Sequence, residues 1–320
     1  MSTASNATAP TAVTQRRAVA AGVAARPGGA AAGPAGGAAA SGLLLGALGV
    51  ALFSFTLPAT RLAVADLDPW FVASGRAAVA GVLAVAVLAV TRAPRPTARQ
   101  WRSLAIVSAG VIVGFPLFTS LAMQTVPSGH GAVVVGVLPA TTAVAAVVLA
   151  GEREPLRFWL AALAGLAAVT AFAISRGAGT LAAGDLFMLL GVVACGIGYA
   201  EGGALSRELG GARTICWALL LTLPLTMTVA IAAGPGQAAS ADAWLGFAYV
   251  SLISMFLGFF AWYAGLARGG IARIGQIQLA QPVITLLWAA LILSEHVGVF
   301  DIATAIVVLA CVVATQRARE

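Results

Sequence analysis

The sequence predicts an all-α integral membrane protein with ten transmembrane helices that form two five-helix repeats of inverted topology. The first observation is composition: 60% of the 320 residues are hydrophobic and 9% are charged, whereas a soluble protein has about 25% charged residues. The second is a series of apolar runs between residues 42 and 316, each long enough to cross a bilayer. The third is the placement of arginine between those runs. Together they argue against a soluble enzyme, a disordered protein and a disulfide scaffold.

Residues 1–41 differ from the rest of the chain, because they consist mostly of Ala, Gly, Ser, Thr and Pro. Such a segment has too little hydrophobic surface to fold, so we expect a disordered cytoplasmic tail. A signal peptide is the alternative. The first apolar run begins late, is long and lacks a convincing cleavage site, which favours a first transmembrane span.

Ten spans are predicted, and clusters of Pro and Gly separate them. Their approximate ranges, in chain order, are 42–61, 70–90, 102–122, 128–150, 156–175, 185–204, 214–233, 243–266, 273–293 and 298–316. The breaks include Asp66 to Pro69, Gly151 to Pro155 and Gly234 to Gly236, and these residue types end helices or form turns. Several spans are apolar on every side, as expected of helices that are buried or face lipid all round.

Arginine predicts the orientation of the spans. If the N-terminus is cytoplasmic, fifteen arginines fall on the cytoplasmic side, Arg61 and Arg176 fall outside, and Arg76 lies within the second span. Cytoplasmic loops of membrane proteins carry an excess of positive charge. The bias therefore predicts that both termini are cytoplasmic, and it supports the span count, since one missed span would disturb the alternation.

An internal repeat divides the chain in two. Pro139 and Glu152 recur as Pro282 and Glu295, both 143 residues later. Each half contains five predicted spans, and because five is odd the second half enters the membrane from the opposite side. Inverted repeats of this kind are a structural basis of alternating access in secondary transporters.

Several other classes of protein are disfavoured. All 18 basic residues are Arg, but they lie in short loops rather than on one basic face, which argues against nucleic-acid binding. The three cysteines are isolated, and His130 and His296 are far apart in sequence, so neither a metal site nor a disulfide framework is indicated. Since no nucleotide-binding or other cofactor motif is present, we expect no cofactor.

A set of residues from both halves carries a family resemblance, although the second half lacks an arginine that matches Arg76. In chain order they are Ser54 to Arg61, Arg76, Pro139, Glu152, Tyr199 to Gly203, Trp262 to Leu266, Gln276, Gln278, Gln281, Pro282 and Glu295. Over about residues 42–316 the chain resembles the EamA-type branch of the drug/metabolite transporter superfamily. The resemblance implies two five-helix EamA-like repeats, at 42–176 and 184–316. It also implies export of amino acids, drugs or other metabolites, although some members import.

Two of the charged residues inside predicted spans are candidates for the site, because charge there is costly and is by default a functional hypothesis. Arg76 is a candidate anchor for an anionic substrate group. The alternatives are a side chain that snorkels to the surface or a structural partner for Asp66, Asp68 or a helix-end carbonyl. Glu201 is a candidate proton carrier or partner of a cationic substrate. Its alternative is an ion pair with a nearby arginine of the following loop.

Glu152 and Glu295 end spans 4 and 9. A carboxylate at a helix C-terminus opposes the helix dipole, so we expect each to bond the start of the following span in its own half as a structural latch. Pro139 and Pro282 lie inside the same two spans and are expected to kink them. Those kinks either shape a central cavity or reflect packing alone.

Polar and aromatic side chains of the second half are the remaining candidates for the cavity. Gln276, Gln278 and Gln281 are in the first half of span 9, and the last two share a helical face. Amides in hydrocarbon need partners, so that face should point inward. Tyr199, Trp262 and Tyr263 are also assigned to the cavity, and the alternative for the aromatic residues is the interfacial belt.

The leading hypothesis is therefore a secondary transporter that moves a small organic solute across the plasma membrane by alternating access, with export favoured by the resemblance. An uptake carrier of the same fold is the alternative. A channel, an intramembrane enzyme and a non-transporting scaffold are less favoured, since polar residues are sparse and no catalytic cluster is present. The expected partners are the lipid bilayer and a small-molecule substrate. Proton coupling, substrate identity and oligomeric state are left open.

Overall fold

The computed structural model describes residues 35–150, 155–176, 182–236, 238–269, 274 and 277–317. All regular structure within these ranges is helical. The helices of the first half are α1 Ala35–Ser54, α2 Thr56–Ala63, α3 Pro69–Val90, α4 Ala98–Val107, α5 Phe115–Ala122, α6 Ser128–Val135, α7 Leu138–Ala150 and α8 Leu156–Arg176. Those of the second half are α9 Ala183–Leu209, α10 Gly211–Ala233, α11 Ala241–Ala248, α12 Phe259–Gly269, α13 Gln281–Ile292 and α14 Val299–Arg317.

Apolar helices occupy the positions of the predicted spans. Within the described ranges, seven stretches are long and apolar enough to cross a membrane: Ala40–Ala63, Pro69–Val90, Ala98–Ala122, Ser128–Leu149, Ala183–Leu209, Gly211–Ala233 and Ala241–Gly269. Three shorter apolar helices, Leu156–Phe172, Gln278–Ile292 and Val299–Ala314, lie at predicted spans 5, 9 and 10. The prediction of an all-helical membrane protein is confirmed.

One predicted boundary is wrong. The tail was expected to be disordered up to residue 41, but α1 begins at Ala35. Alanine is the strongest helix former, and the alanines of residues 35–40 extend the first helix toward the N-terminus. Residues 1–34 of the predicted tail lie outside the described residues.

Local sequence accounts for where other helices begin. Before α3, a carboxylate oxygen of Asp68 accepts the backbone N–H groups of Trp70 at 2.8 Å and Phe71 at 3.1 Å, and Pro69 occupies the first helical position, where its missing N–H costs nothing. Before α4, Thr97 and Gln100 form a reciprocal capping box. These caps satisfy N–H groups that the helices leave unpaired at their first turns.

The two halves share an unusual backbone feature. A π-helical segment, Ser108–Gly114, joins α4 to α5, and a second, Tyr249–Gly258, joins α11 to α12. The two segments overlap when the halves are aligned at the spacing of 143 residues seen for Pro139 and Pro282. Short π-helical stretches inside α-helices are frequent at functional sites.

Contacts between the halves follow a matched scheme. The most extensive packs α3 against α10, which are the second helices of the two halves as predicted. The first helix of each half contacts the third of the other, through α2 with α11 and α9 with α5. α6 packs on α13, and α8 packs on α14. One buried hydrophobic cluster includes residues of both halves, so the core is continuous across the boundary between them.

Candidate functional site

The first long helix is interrupted at Phe55, and the interruption creates a polar site in the interior. Pro58 has no N–H to donate to the carbonyl four residues earlier, so the carbonyl oxygen of Ser54 is freed from the helix. The hydroxyl of Thr285, on α13, donates to that oxygen at 2.7 Å, and the indole N–H of Trp288 donates to the Ser54 hydroxyl at 3.0 Å. A helix of the second half thus satisfies the groups exposed by a break in the first.

A second polar contact connects the same break to Arg76. Thr56, directly after the interruption, shares a hydrogen bond of 2.9 Å with the hydroxyl of Ser254. Nη2 of Arg76 donates to the same Ser254 oxygen at 3.1 Å. Ser254 lies in the π-helical segment between α11 and α12, so this segment presents its hydroxyl to residues of both α2 and α3.

Aromatic rings line the other side of the break. Phe53 contacts Phe259 and Trp262, with ring centroids 4.8 and 6.2 Å apart. Tyr199 packs 5.6 Å from Trp262, and Tyr263 packs 5.6 Å from Phe259. Trp262 is 1% exposed and Tyr263 is fully buried. Neither ring lies on the lipid-facing surface, where an aromatic belt residue would be.

Tyr199 also packs against Phe259, with ring centroids 6.2 Å apart. We call this cluster of Phe53, Thr56, Arg76, Tyr199, Ser254, Phe259, Trp262 and Tyr263 the central site. The cluster joins residues of α1, α2 and α3 to residues of α9 and α12, so both halves contribute.

Arg76 is the most unusual member of the central site. It is 1% exposed, so its side chain does not snorkel to a surface. Asp66 accepts hydrogen bonds from Ser240, and Asp68 caps α3, so neither acts as its counter-ion. Among the described residues, Nε and Nη1 of Arg76 have no hydrogen-bond partner. A buried cation with unpaired donors is energetically costly and requires an explanation.

Other donors and acceptors in the interior are also unpaired. Within the described part of the chain, Trp262 Nε1, Tyr263 Oη, Gln278 Nε2 and Gln281 Oε1 are buried without a hydrogen-bond partner. The glutamine side chains point inward as expected, and Gln278 and Gln281 share a face of the chain with Thr285. Gln276 lies outside the described residues.

The two candidate kink prolines both lie at interruptions. Pro139 is the second residue of α7, and two residues without α-helical structure separate that helix from α6. Pro282 is the second residue of α13, directly after the 3₁₀ turn Gln278–Ala280. The pyrrolidine ring of Pro282 lies near Gly136, in the break before α7, so the two interruptions face each other across the halves.

Glu201 does not join the central site through any contact among the described residues. It is half-buried on α9, and it forms no ion pair with a neighbouring arginine in the described part of the chain. The next residue, Gly202, packs against Tyr263, whose ring and hydroxyl leave no room for a Cβ there. Glu201 therefore lies beside the site on the side predicted to face the cytoplasm.

Glu295 forms a latch, but not the expected one. Its carboxylate accepts the backbone N–H of Ser128 at 2.9 Å, the Ser128 hydroxyl at 3.0 Å and the backbone N–H of Gly129 at 2.8 Å. The expectation that it bonds the following span in its own half is wrong, because the unpaired N–H groups at the start of α6 lie closer to its side chain. Glu152, the other predicted latch, lies outside the described residues.

Sequence reasoning missed four members of the central site: Phe53, Thr56, Ser254 and Phe259. Each is a common residue type in a membrane helix, and no local pattern distinguishes it. One available signal was Pro58, since a proline inside a long apolar run frees a carbonyl upstream and directs attention to residues 53–56.

Two matched halves of membrane-capable helices that enclose a buried polar site define the protein as a transporter. Comparison with known proteins agrees. The profile of the EamA-like transporter family matches residues 40–174 and again 182–315. The chain belongs to that family, which confirms the resemblance and the membrane location predicted from sequence.

Two bacterial relatives and one solved structure cover most of the chain. "Uncharacterized transporter YdeK" of Bacillus subtilis (strain 168) is 48% identical over 87% of this chain and 97% of its own. "Aromatic amino acid exporter YddG" of Ancylobacter novellus is 25% identical over 88% of this chain and 99% of its own. A crystal structure with 19% identity and a TM-score of 0.60 covers 88% of this chain and 96% of its own, and shows the same fold. Since the relatives are bacterial, the bacterial plasma membrane is its location.

Proposed function

We propose that the chain is a carrier, not an enzyme, with ten spans in two five-helix repeats of inverted topology, at 42–176 and 184–316, and with both termini cytoplasmic. The arginine bias of fifteen to two supports the orientation. The three shorter apolar helices at spans 5, 9 and 10 support the count. The reciprocal packing between the halves is the pattern expected when two equivalent units face each other across a pseudo-two-fold axis.

The substrate is an amino acid or an amphipathic metabolite with an anionic group, and it moves by alternating access. The observation that carries this proposal is the pair of unpaired Arg76 nitrogens, Nε and Nη1, beside a wall of aromatic rings. A carboxylate can accept two parallel bonds from one guanidinium group, here through the remaining hydrogen of Nη2 together with either unpaired nitrogen. The rings of Phe53, Phe259 and Trp262 offer an apolar surface to the rest of the solute.

The substrate named for YddG supports a narrower proposal. An aromatic amino acid combines a carboxylate for Arg76 with a ring that can stack in offset or edge-to-face geometry on Tyr199 and Trp262. Export is the favoured direction, on the strength of that relative alone. Uptake by the same fold is the alternative, whereas a channel or scaffold has no specific observation in its favour.

The test is counterflow in proteoliposomes that contain the purified protein. Vesicles loaded with unlabelled phenylalanine or tryptophan should accumulate the labelled compound in a saturable manner. A channel would instead equilibrate the label without counterflow, and a scaffold would give no flux. The same assay with a proton gradient in either direction tests proton coupling, and vesicles of known protein orientation give the direction of transport.

Two substitutions at one position test the site. Arg76→Gln removes the charge and should weaken binding on the order of a hundredfold, since the loss of one partner of a buried charged pair costs about 2–5 kcal/mol. Arg76→Lys should recover little, because an ammonium group cannot make the bidentate contact. Arg99→Gln is the matched control, since Arg99 is exposed and pairs with Glu208. Saturable exchange unaffected by Arg76→Gln would contradict the assigned role.

A further inference from the structure

A polar cavity lies at the end of the molecule that the arginine bias assigns to the outside. Its volume is about 250 Å³. Among the residues that line it are His130, Asp185, Glu295, His296 and Asp301. His130 and His296 are the two histidines of the sequence and lie 166 residues apart. The fold brings both to this cavity.

A close charged contact in the cavity joins the two halves. Nε2 of His130, in the first turn of α6, is 2.8 Å from Oδ1 of Asp185, in the first turn of α9. The two side chains are 11% and 3% exposed. The other oxygen of Asp185 accepts the backbone N–H of Ala182 at 3.0 Å, which fixes the carboxylate at the start of its helix.

Two further carboxylates and an aromatic ring lie near the imidazole of His130. Glu295 bonds the backbone of the residue before His130, and Asp301, at the start of α14, lines the same cavity. Phe172, on α8, packs against the imidazole, with ring centroids 4.8 Å apart. The same helix ends at Arg176. On α2, Arg61 donates to the carbonyl of Met123. His296 is exposed at the rim.

We infer that this cavity is a proton-binding site, with His130 as the acceptor and Asp185 as its counter-charge. Histidine is the side chain whose charge ordinarily changes between pH 5 and 8. A protonated His130 forms an ion pair with Asp185 across the halves, whereas a neutral His130 does not. The inference rests on the proposed orientation and on alternating access, and it concerns opening of the outer end rather than substrate binding.

Linkage gives the sign of the effect. If the halves separate at the outer end, His130 moves away from Asp185 and binds a proton less tightly. Protonation must therefore favour the closed outer end by the same factor. A loss of one ion pair of this kind corresponds to a change on the order of tenfold in the ratio of closed to open molecules. Acid outside holds the outer end closed, and a rise in external pH releases it.

The test measures distance and needs no substrate. Spin labels are attached to exposed positions at the outer ends of the two halves, Gln124 and Val299, in full-length protein whose native cysteines are replaced by alanine. Double electron–electron resonance in lipid nanodiscs then gives the closed-to-open ratio between pH 5.5 and pH 8. The ratio should fall by about tenfold as the pH rises. A distribution that does not change with pH would overturn the inference.

Three variants identify the titrating group. His130→Gln retains a polar side chain but cannot gain charge, so its distance distribution should not depend on pH. Asp185→Asn removes the counter-charge independently and should also abolish the response. His296→Gln is the matched control and should respond as the parent does. A full response in His130→Gln or Asp185→Asn, or its loss in His296→Gln, would refute the assignment. Transport assays play no part, so failure of this test leaves the carrier proposal intact and is distinguishable from failure of counterflow.

Discussion

The contact between Glu295 and the start of α6 should contribute measurably to stability, and Glu295→Gln is the substitution that tests it. The carboxylate accepts three hydrogen bonds at 2.8–3.0 Å from Ser128 and Gly129. An amide in its place keeps one oxygen acceptor but turns an NH₂ group toward a backbone N–H. Loss of an N-terminal cap costs about 0.5–2 kcal/mol, and loss of the negative charge at the helix dipole adds about 0.3–1 kcal/mol.

With an unfolding entropy of about 2.1 cal/mol/K per residue over 320 residues, a central value of about 2 kcal/mol corresponds to a fall of roughly 3 °C in the unfolding midpoint. The assay is thermal unfolding in detergent, followed by intrinsic fluorescence. Glu208→Gln provides the control, because Glu208 forms an ion pair with Arg99 at the surface, where the two side chains are 40% and 69% exposed, respectively. Exposed ion pairs contribute at most about 1 kcal/mol to the free energy of unfolding. Ser128→Ala removes one of the three hydrogen bonds, so its unfolding midpoint should lie between those of Glu295→Gln and Glu208→Gln. Equal midpoints for Glu295→Gln and Glu208→Gln would refute the reasoning.

Two further substitutions test contacts elsewhere in the fold. Thr285→Val leaves the carbonyl of Ser54 unsatisfied and should cost about 1–3 kcal/mol in unfolding, whereas Thr304→Val, where the hydroxyl is exposed and bonds within its own helix, should leave the midpoint nearly unchanged. The hydroxyl and backbone N–H of Ser240 lower the pKa of Asp66 below its ordinary value of 3.8. The stabilisation is therefore complete above that pH and is lost as the pH falls below it, so wild type and Asp66→Asn should differ in midpoint at pH 6 and converge at strongly acid pH.

The sequence predicted the features that depend on local composition. Apolar runs, arginine placement and proline clusters determine where a helix enters or leaves the bilayer, and each acts within about 20 residues. Helical interruptions are likewise local, since a proline removes one particular backbone bond. For this reason the helical interruptions next to Pro139 and Pro282 could be predicted from sequence alone.

The contacts between the halves could not be predicted in the same way. The sequence indicates that a carboxylate at the end of span 9 needs a partner, but the partner of Glu295 is Ser128, 167 residues earlier. Ser254 is one of many small polar residues in apolar runs, and only its position opposite Thr56 and Arg76 distinguishes it. These roles are set by packing between distant segments, and a single sequence without its fold carries no local sign of them.

The described contacts between the halves differ at the two ends of the molecule. At the predicted outer end, Glu295 bonds Ser128 and Gly129, and buried Asp185 pairs with His130. At the predicted inner end, the ion pair among the described residues is that of Arg99 and Glu208, which is exposed to solvent. Breaking an exposed pair costs about 0–1 kcal/mol, whereas leaving buried polar groups unpaired costs about 1–3 kcal/mol for each. On these contacts, separation of the halves at the inner end costs less than separation at the outer end. A carrier built in this way would open toward the cytoplasm unless a solute, or a change in external proton concentration, supplied the extra free energy needed to separate the halves at the outer end.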